Sequence, residues 1–184
     1  LVIDIDKGSS VRDIFEIFKK NNITKNKLVY YFAIYSKVNY VPKYGQYFIP
    51  KNLSILHILD ILKLGKVIQY KITIPEGLTT RETISRISDN KFLMGKINKE
   101  FYELEGLFLP ETYYFNKGYT RDDLLNRMRN DMQKILDNDW NNRVESLPYK
   151  TKYDVLKMAS ITESETGAEP EKKLIASVFI NRLN

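Results

Sequence analysis

The sequence predicts an α+β fold in two parts, in which short strands first alternate with helices and helices then dominate. Alternating apolar and polar residues in the first half are typical of half-buried strands, and each run leads through a turn into a helix signal. The second half has longer apolar patterns at helical spacing. The 184 residues, 43% of them hydrophobic and 28% charged, supply enough apolar material for a folded core.

A repeated strand–turn–helix pattern organises the first half. Residues 2–13 and 71–82 match at spaced apolar positions, a glycine, hydroxyl residues and an arginine–acid pair. In each copy a Ser or Thr oxygen is placed to cap the following helix, and residues 79–82 (TTRE) have the spacing of a capping box. A looser third copy at residues 47–54 leads into a predicted helix over residues 55–64, with a glycine next to end it.

Between the first and third copies, residues 25–37 form an aromatic-rich stretch with a helical pattern. Apolar side chains recur there at spacings of three and four, which is typical of a buried helix face. We predict that this stripe packs in the core, although rows of aromatic side chains also stack on sugar rings. The stripe consists of Leu28, Tyr31, Phe32 and Tyr35.

Residues 101–115 form an aromatic, apolar segment that Gly106 and Pro110 interrupt, so it is not one continuous helix. Glu105 and Glu111 lie within it. Carboxylates among aromatic side chains in an irregular segment are candidates for acid–base chemistry. The sequence leaves an alternative equally open, in which both are loop acids that cap neighbouring backbone N–H groups.

Two longer helices are predicted next. The first begins after Thr120 and ends before a polar loop over residues 138–148, and the second extends from about Thr151 to Gly167. The first has an apolar face that comprises Leu124, Leu125, Met128, Met132, Ile135 and Leu136. The second has an apolar side that comprises Val155, Leu156, Met158, Ala159 and Ile161.

Glu163 and Glu165 follow that apolar side. At about 100° per residue they flank it on opposite sides, so they cannot serve one bond as a pair while both are helical. A two-carboxylate glycosidase would need its second acid elsewhere, for example from Glu105. A glutamate beside Leu156 and Ala159 has surroundings that raise a carboxyl pKa, so we expect a raised pKa for Glu163. The commoner alternative is that both are simply acids near a helix end.

Composition excludes several kinds of site. Without cysteine the chain has no disulfide, thiolate zinc site or cysteine nucleophile. The one histidine, His57, has no second histidine or acid at ligand spacing, so we interpret it as structural and predict no metal or cofactor. The net charge of +6 arises from 29 basic and 23 acidic residues that are interleaved, so we expect no nucleic-acid partner.

Three motifs together resemble one known family. Residues 159–167 (ASITESETG), followed by residues 176–183 (ASVFINRL), look like the signature of the YceG-like (MltG) endolytic murein transglycosylases. Residues 105–113 (EGLFLPETY) are similar to that family's second motif, and residues 74–77 (IPEG) to its strand–turn motif. The three occur in the family's order and together extend over most of the chain.

The resemblance implies a LysM-like α+β subdomain over residues 1–70 and a mostly helical YceG-like catalytic domain over residues 71–184. By motif position Glu163 is the catalytic acid/base, and Glu165 is the second acid of the E-x-E-T pattern, which supports the site. The remaining motif positions that the resemblance places around the glycan are Glu105, Tyr113, Thr166 and Asn181.

The implied activity is cleavage of nascent peptidoglycan between N-acetylmuramic acid and N-acetylglucosamine, in the bacterial cell envelope. One glutamate suffices, because the muramyl 6-hydroxyl attacks internally and closes a 1,6-anhydro ring. The alternative is a non-catalytic peptidoglycan-binding or scaffold module of the cell-wall machinery. Cell-wall synthases are implied as further partners.

Two departures from the family pattern concern the chain's ends. The family's N-terminal transmembrane helix, which implies an inner-membrane single-pass anchor, does not appear in the sequence. Family members also continue past the NRL motif with a stretch that contains a D-P-T pattern. We therefore expect the catalytic domain to be truncated at its C-terminus, with part of one active-site wall outside these residues.

Overall fold

In the computed structural model, which describes residues 1–37 and 39–183, the chain has the predicted α+β architecture. The strands are β1 (Val2–Ile5), β2 (Gly45–Phe48), β3 (Gln69–Thr73) and β4 (Thr112–Asn116). The helices are α1 (Val11–Lys20), α2 (Lys27–Tyr35), α3 (Ile55–Leu64), α4 (Thr80–Ser88), α5 (Arg121–Asn141), α6 (Lys152–Glu165) and α7 (Glu169–Leu183), with a 3₁₀ turn at Lys99–Glu103. No helix among these described residues is long and apolar enough to cross a membrane.

The chain divides into two compact units. The first comprises residues 1–70 with residues 114–118, and the second comprises residues 71–113 with residues 119–184. The assignments of the first unit as LysM-like and of the second unit as catalytic stay predictions.

In the first unit, β1 and β2 pair antiparallel, with Ile3 opposite Tyr47 and Ile5 opposite Gly45. The alternation of β1 places Ile3 and Ile5 in the core while their neighbours are exposed. Gly45 has a φ of +138°, and a Cβ there would lie 2.5 Å from the Cγ1 of Val67. This position therefore requires glycine.

The predicted cap of α1 and the predicted bounds of α3 are confirmed. Ser10 caps α1 in a capping box with Asp13, and Ser54 caps α3. Gly65 ends α3 in the left-handed conformation, with a φ of 71°. His57 is exposed, and its Nδ1 lies 2.8 Å from the Oγ of Ser54, the residue that caps α3.

The prediction that the aromatic stripe of α2 packs in the core is wrong for three of its four residues, since only Tyr31 among them packs against the core of the first unit. Leu28, Phe32 and Tyr35 are 83%, 78% and 87% exposed. The buried face is instead formed by Tyr30 and Ala33, because the Tyr30 ring packs on the aromatic side chains of α1 and its hydroxyl donates to the Val11 carbonyl oxygen at 2.8 Å. Since nearly every residue of α2 is apolar, spacing alone could not identify this face.

In the second unit, Thr79 caps α4 in the predicted capping box with Glu82. The C-terminal end of α4 is held by Arg121, whose guanidinium donates to backbone carbonyls of residues 87, 88, 90 and 95 at 2.7 to 3.3 Å. β3 and β4 form a second two-stranded sheet. Just after β3, the Ile74 N–H donates to the Glu111 carbonyl oxygen at 3.0 Å.

Helix α5 buries most of its predicted apolar face but continues to Asn141, four residues into the predicted polar loop. Thr120 caps its start in a capping box with Asp123. The apolar side of α6 is only partly covered, because Ala159 and Ile161 are exposed. Thr162 is the buried residue of α6, and α7 has none among its described residues.

Candidate functional site

The candidate site is organised around Glu163, in the last turn of α6. Its Oε2 lies 2.7 Å from the Nζ of Lys172, which α7 contributes. The same Nζ lies 2.9 Å from Oε2 of Glu169, one turn earlier on α7. The Glu163 and Lys172 side chains are 30% and 23% exposed, so the ion pair is partly shielded from water.

The expected raised pKa of Glu163 is wrong. The hydrogen bond and charge of Lys172 outweigh desolvation and lower the pKa of the Glu163 carboxyl below its ordinary value. The same contacts with Glu163 and Glu169 raise the pKa of Lys172. The apolar flank inferred from the sequence does not enclose Glu163, because Ala159 is exposed and Leu156 is only partly buried.

A second carboxyl group lies beside Glu163. Glu76, in the turn between β3 and α4, lies near enough to Glu163 to help lower the pKa of its carboxyl group. The carboxyl group adjacent to Glu163 therefore comes from the IPEG motif, and not from the segment that contains Glu105.

Glu105 and Glu111 bond to backbone, which is the alternative that the sequence left open. The Oε1 of Glu105 accepts a hydrogen bond from the Thr80 N–H at 3.1 Å, at the start of α4. The Oε1 of Glu111 accepts from the Thr112 N–H at 2.8 Å. A substrate-binding role for Glu105 stays a prediction, and it would have to coexist with this anchoring contact.

Tyr113 is buried, at 2% exposure, and its hydroxyl donates to the Leu109 carbonyl oxygen at 2.9 Å. The Arg127 guanidinium lies over its ring at 5.3 Å from the centroid. Burial raises the pKa of Tyr113 to about 12, so the hydroxyl stays protonated at neutral pH. The predicted contribution of Tyr113 to glycan binding stays a prediction, and from this position it would be indirect.

The other predicted site residues lie at the junction of α6 and α7. The Thr166 hydroxyl donates to Glu171 at 2.8 Å and accepts from the Ala168 N–H at 3.0 Å, so it fixes the turn that brings Lys172 to Glu163. Glu165 and Asn181 are exposed, on α6 and on the last turns of α7. Roles for these three residues in binding glycan stay predictions.

Sequence reasoning missed Lys172 and Glu76. Lys172 follows Glu163 by nine residues and belongs to another helix, so no helical spacing links them. Glu76 stands within the IPEG motif, which sequence reasoning interprets only as a turn. The carboxylate of this motif is the signal that could have identified Glu76 as a site residue.

The site combines the Lys172 cation, the neighbouring carboxyl groups of Glu163 and Glu76 and access from solvent, which is suited to proton transfer to and from a bound molecule. In the part of the chain that the structure describes, no group of three or more acids or histidines is placed to hold a metal ion.

Comparison with known proteins places these residues in a family. The model of the YceG-like family matches residues 3–184, nearly the whole chain. The chain belongs to the YceG-like family. The IPEG turn with Glu76, the segment with Glu105 and the α6–α7 helix pair with Glu163 all lie within the matched region.

Relatives of the chain in two bacteria are named endolytic murein transglycosylases. The chain is 27% identical over 226 residues to an endolytic murein transglycosylase of Streptococcus pneumoniae (strain D39), with 100% of this chain and 40% of that relative aligned. It is also 27% identical to an endolytic murein transglycosylase of Bacillus subtilis, with 98% of this chain and 58% of that relative aligned. The chain thus spans about half the length of these relatives.

A solved YceG-like protein from Listeria monocytogenes is 22% identical to this chain. The match has a TM-score of 0.43 and extends over 99% of this chain and 69% of the Listeria chain.

Proposed function

We propose that the protein is an endolytic lytic transglycosylase that cleaves the β-1,4 bond between N-acetylmuramic acid and N-acetylglucosamine in nascent peptidoglycan. The observation that supports this most strongly is the YceG-like match over residues 3–184, together with relatives named endolytic murein transglycosylase that align with almost the whole chain. The reaction leaves a 1,6-anhydro-muramyl end.

Glu163 is the proposed acid/base. In the first step its protonated carboxyl group donates to the glycosidic oxygen while the C1–O bond breaks and positive charge develops on the muramyl ring. In the second step the carboxylate accepts the proton of that sugar's own 6-hydroxyl, whose oxygen attacks C1. The proton lost in the first step is regained in the second, so Glu163 ends in its starting form.

One acid is enough because the nucleophile is intramolecular. A hydroxyl group held near the anomeric carbon has a high effective concentration, so neither an activated water nor a covalent intermediate is required. A hydrolase needs two carboxyl groups about 5 Å or more apart, on either side of the bond. The proposal therefore assigns both proton transfers to Glu163 and requires no second catalytic carboxyl group.

The free site contains Glu163 as a carboxylate, paired with Lys172. This is the form that the second step uses. The first step uses the protonated form, so the bound glycan strand has to favour protonation, and desolvation by a sugar ring acts in that direction.

We further propose that the protein acts in the bacterial cell envelope, on the outer side of an inner membrane to which a single-pass helix anchors it. The first unit is proposed to be the LysM-like module that binds glycan. Cell-wall synthases are the proposed protein partners, because an enzyme that cuts nascent strands has to act where those strands are made.

The test is mass spectrometry of purified peptidoglycan after digestion. Muropeptides with anhydro ends, lighter by one water than hydrolysed ends, are the expected products. Hydrolysed reducing ends would indicate a two-carboxylate hydrolase instead. If glycan binds but no bond is cleaved, the non-catalytic binding or scaffold module becomes the better account.

A further inference from the structure

Lys172 lies between two carboxylates of different exposure. Its Nζ is 2.7 Å from Glu163, whose side chain is 30% exposed, and 2.9 Å from Glu169, whose side chain is 84% exposed. Glu169 lies one turn before Lys172 on α7, so these two can remain paired whatever happens on α6. The cation therefore has a second partner available when Glu163 is neutral.

Charged groups from two other elements of the described structure face Glu163. From α7 it faces Lys172, with Glu169 behind that cation, and from the turn between β3 and α4 it faces Glu76. On its own helix Glu165 is exposed. The ion pair that joins α5 to α6, between Asp137 and Lys152, lies at the opposite end of α6.

The position of Lys172 depends on the turn between α6 and α7. Thr166 fixes that turn through its bonds to Glu171 and Ala168, so Lys172 is held within reach of Glu163 by backbone geometry as well as by charge. Lys172 is only 23% exposed, so the contact is not a freely solvated surface pair.

We propose that Lys172 is a positioning residue for the reaction, which pairs with Glu163 when that residue is a carboxylate and stays with Glu169 when Glu163 carries a proton. This inference rests on the proposed function. In the acid step the Glu163 proton moves to the leaving oxygen, and the carboxylate that remains is stabilised by Lys172. In the base step Glu163 takes the 6-hydroxyl proton, and the Lys172 charge is balanced by Glu169. Lys172 itself neither gains nor loses a proton.

Replacing Lys172 and replacing Glu169 should shift the pH dependence of activity in opposite directions. The acid step requires protonated Glu163, so activity falls as pH rises through the pKa of Glu163. Lys172→Met removes the cation that lowers this pKa, so the alkaline limb of the activity profile should move to higher pH. Glu169→Gln leaves Glu163 as the remaining partner in this ion pair, so the limb should move down.

The experiment measures the rate of anhydro-end formation against pH for the unmutated protein, Lys172→Met, Lys172→Arg and Glu169→Gln. Lys173→Met is the matched control, because Lys173 is the exposed neighbour of Lys172. A second readout needs no substrate: the ¹³C signal of the Glu163 carboxyl group is titrated by NMR, and Glu163→Gln assigns it. Lys172→Arg, which keeps the charge, should resemble the unmutated protein.

Opposite shifts for Lys172→Met and Glu169→Gln, in both readouts, would support the proposal. If the unmutated protein forms anhydro ends but the Glu163 titration is the same in Lys172→Met, the role of Lys172 is wrong and the proposed function stands. If no anhydro ends form at any pH, the proposed function fails, and the role of Lys172 in the reaction fails with it.

Discussion

The Glu105 carboxylate accepts a hydrogen bond from the backbone N–H of Thr80 at 3.1 Å, across 25 residues of sequence. The Thr80 hydroxyl returns a bond to the Leu104 carbonyl oxygen at 3.0 Å, and Thr80 is buried. These two bonds join the start of α4 to the segment before β4. Glu105 thus satisfies one of the free N–H groups at a helix start.

Glu105→Ala should therefore lower the free energy of unfolding by about 1 kcal/mol, the usual effect of losing a capping acceptor. Chemical denaturation measures this, with the exposed Glu103→Ala as the control. Anhydro-end formation by the variant is measured as well. If Glu105 only anchors α4, the activity of the variant should recover at a lower temperature, where more of the protein is folded. Activity that stays lost in a fully folded variant would show direct contact with glycan.

Tyr113→Phe should also lower the free energy of unfolding by about 1 kcal/mol, because it removes the hydrogen bond that the Tyr113 hydroxyl donates to the Leu109 carbonyl oxygen. Its KM for glycan should change little, since the hydroxyl is occupied within the protein. Tyr44→Phe, at an exposed tyrosine, is the control and should alter neither quantity. A large rise in KM with unchanged stability would instead place the Tyr113 hydroxyl at the substrate.

Arg121→Lys should destabilise the second unit by about 2 to 3 kcal/mol. The guanidinium donates to four backbone carbonyls around the end of α4, and a single ammonium group cannot reproduce that fork. Thermal unfolding followed by circular dichroism measures the loss. Arg129→Lys on the exposed side of the same helix should leave the melting temperature unchanged, and equal effects of the two changes would contradict this account.

The capping box of α4 predicts a pH dependence of stability. Hydrogen bonds from the Thr79 side chain and backbone lower the pKa of Glu82, so its contribution is present above the ordinary carboxyl pKa and is lost as pH falls through the lowered value. Glu82→Gln should therefore melt earlier than the unmutated protein at pH 7. The difference should shrink as pH falls below the ordinary carboxyl range and disappear in strong acid. If the two melting temperatures still differ in strong acid, the charge of Glu82 is not the cause of the difference.

Local signals predicted much of the fold. The capping box at residues 79–82, the helix over residues 55–64 and its glycine stop depend on side chains close in sequence, and the structure confirms all three. Which face of α2 is buried could not be predicted, because Tyr30 is selected by its contact with α1 and by a partner 19 residues away.

The candidate site was less predictable for the same reason. Glu163 could be singled out from its motif, but its ionisation is set by Lys172 and Glu76, which other elements bring to it. An apolar flank on the same helix suggested a raised pKa. The tertiary contact with a cation reverses that direction.

The most direct test of the central claim compares Glu163→Gln with Glu165→Gln, two isosteric changes two residues apart on α6. Both proteins are given purified peptidoglycan, and anhydro ends are quantified by mass spectrometry. If Glu163 is the acid/base, Glu163→Gln should slow anhydro-end formation by about 10² to 10⁴-fold while Glu165→Gln stays within about tenfold of the unmutated protein. Anhydro ends formed by Glu163→Gln at the unmutated rate would contradict the account.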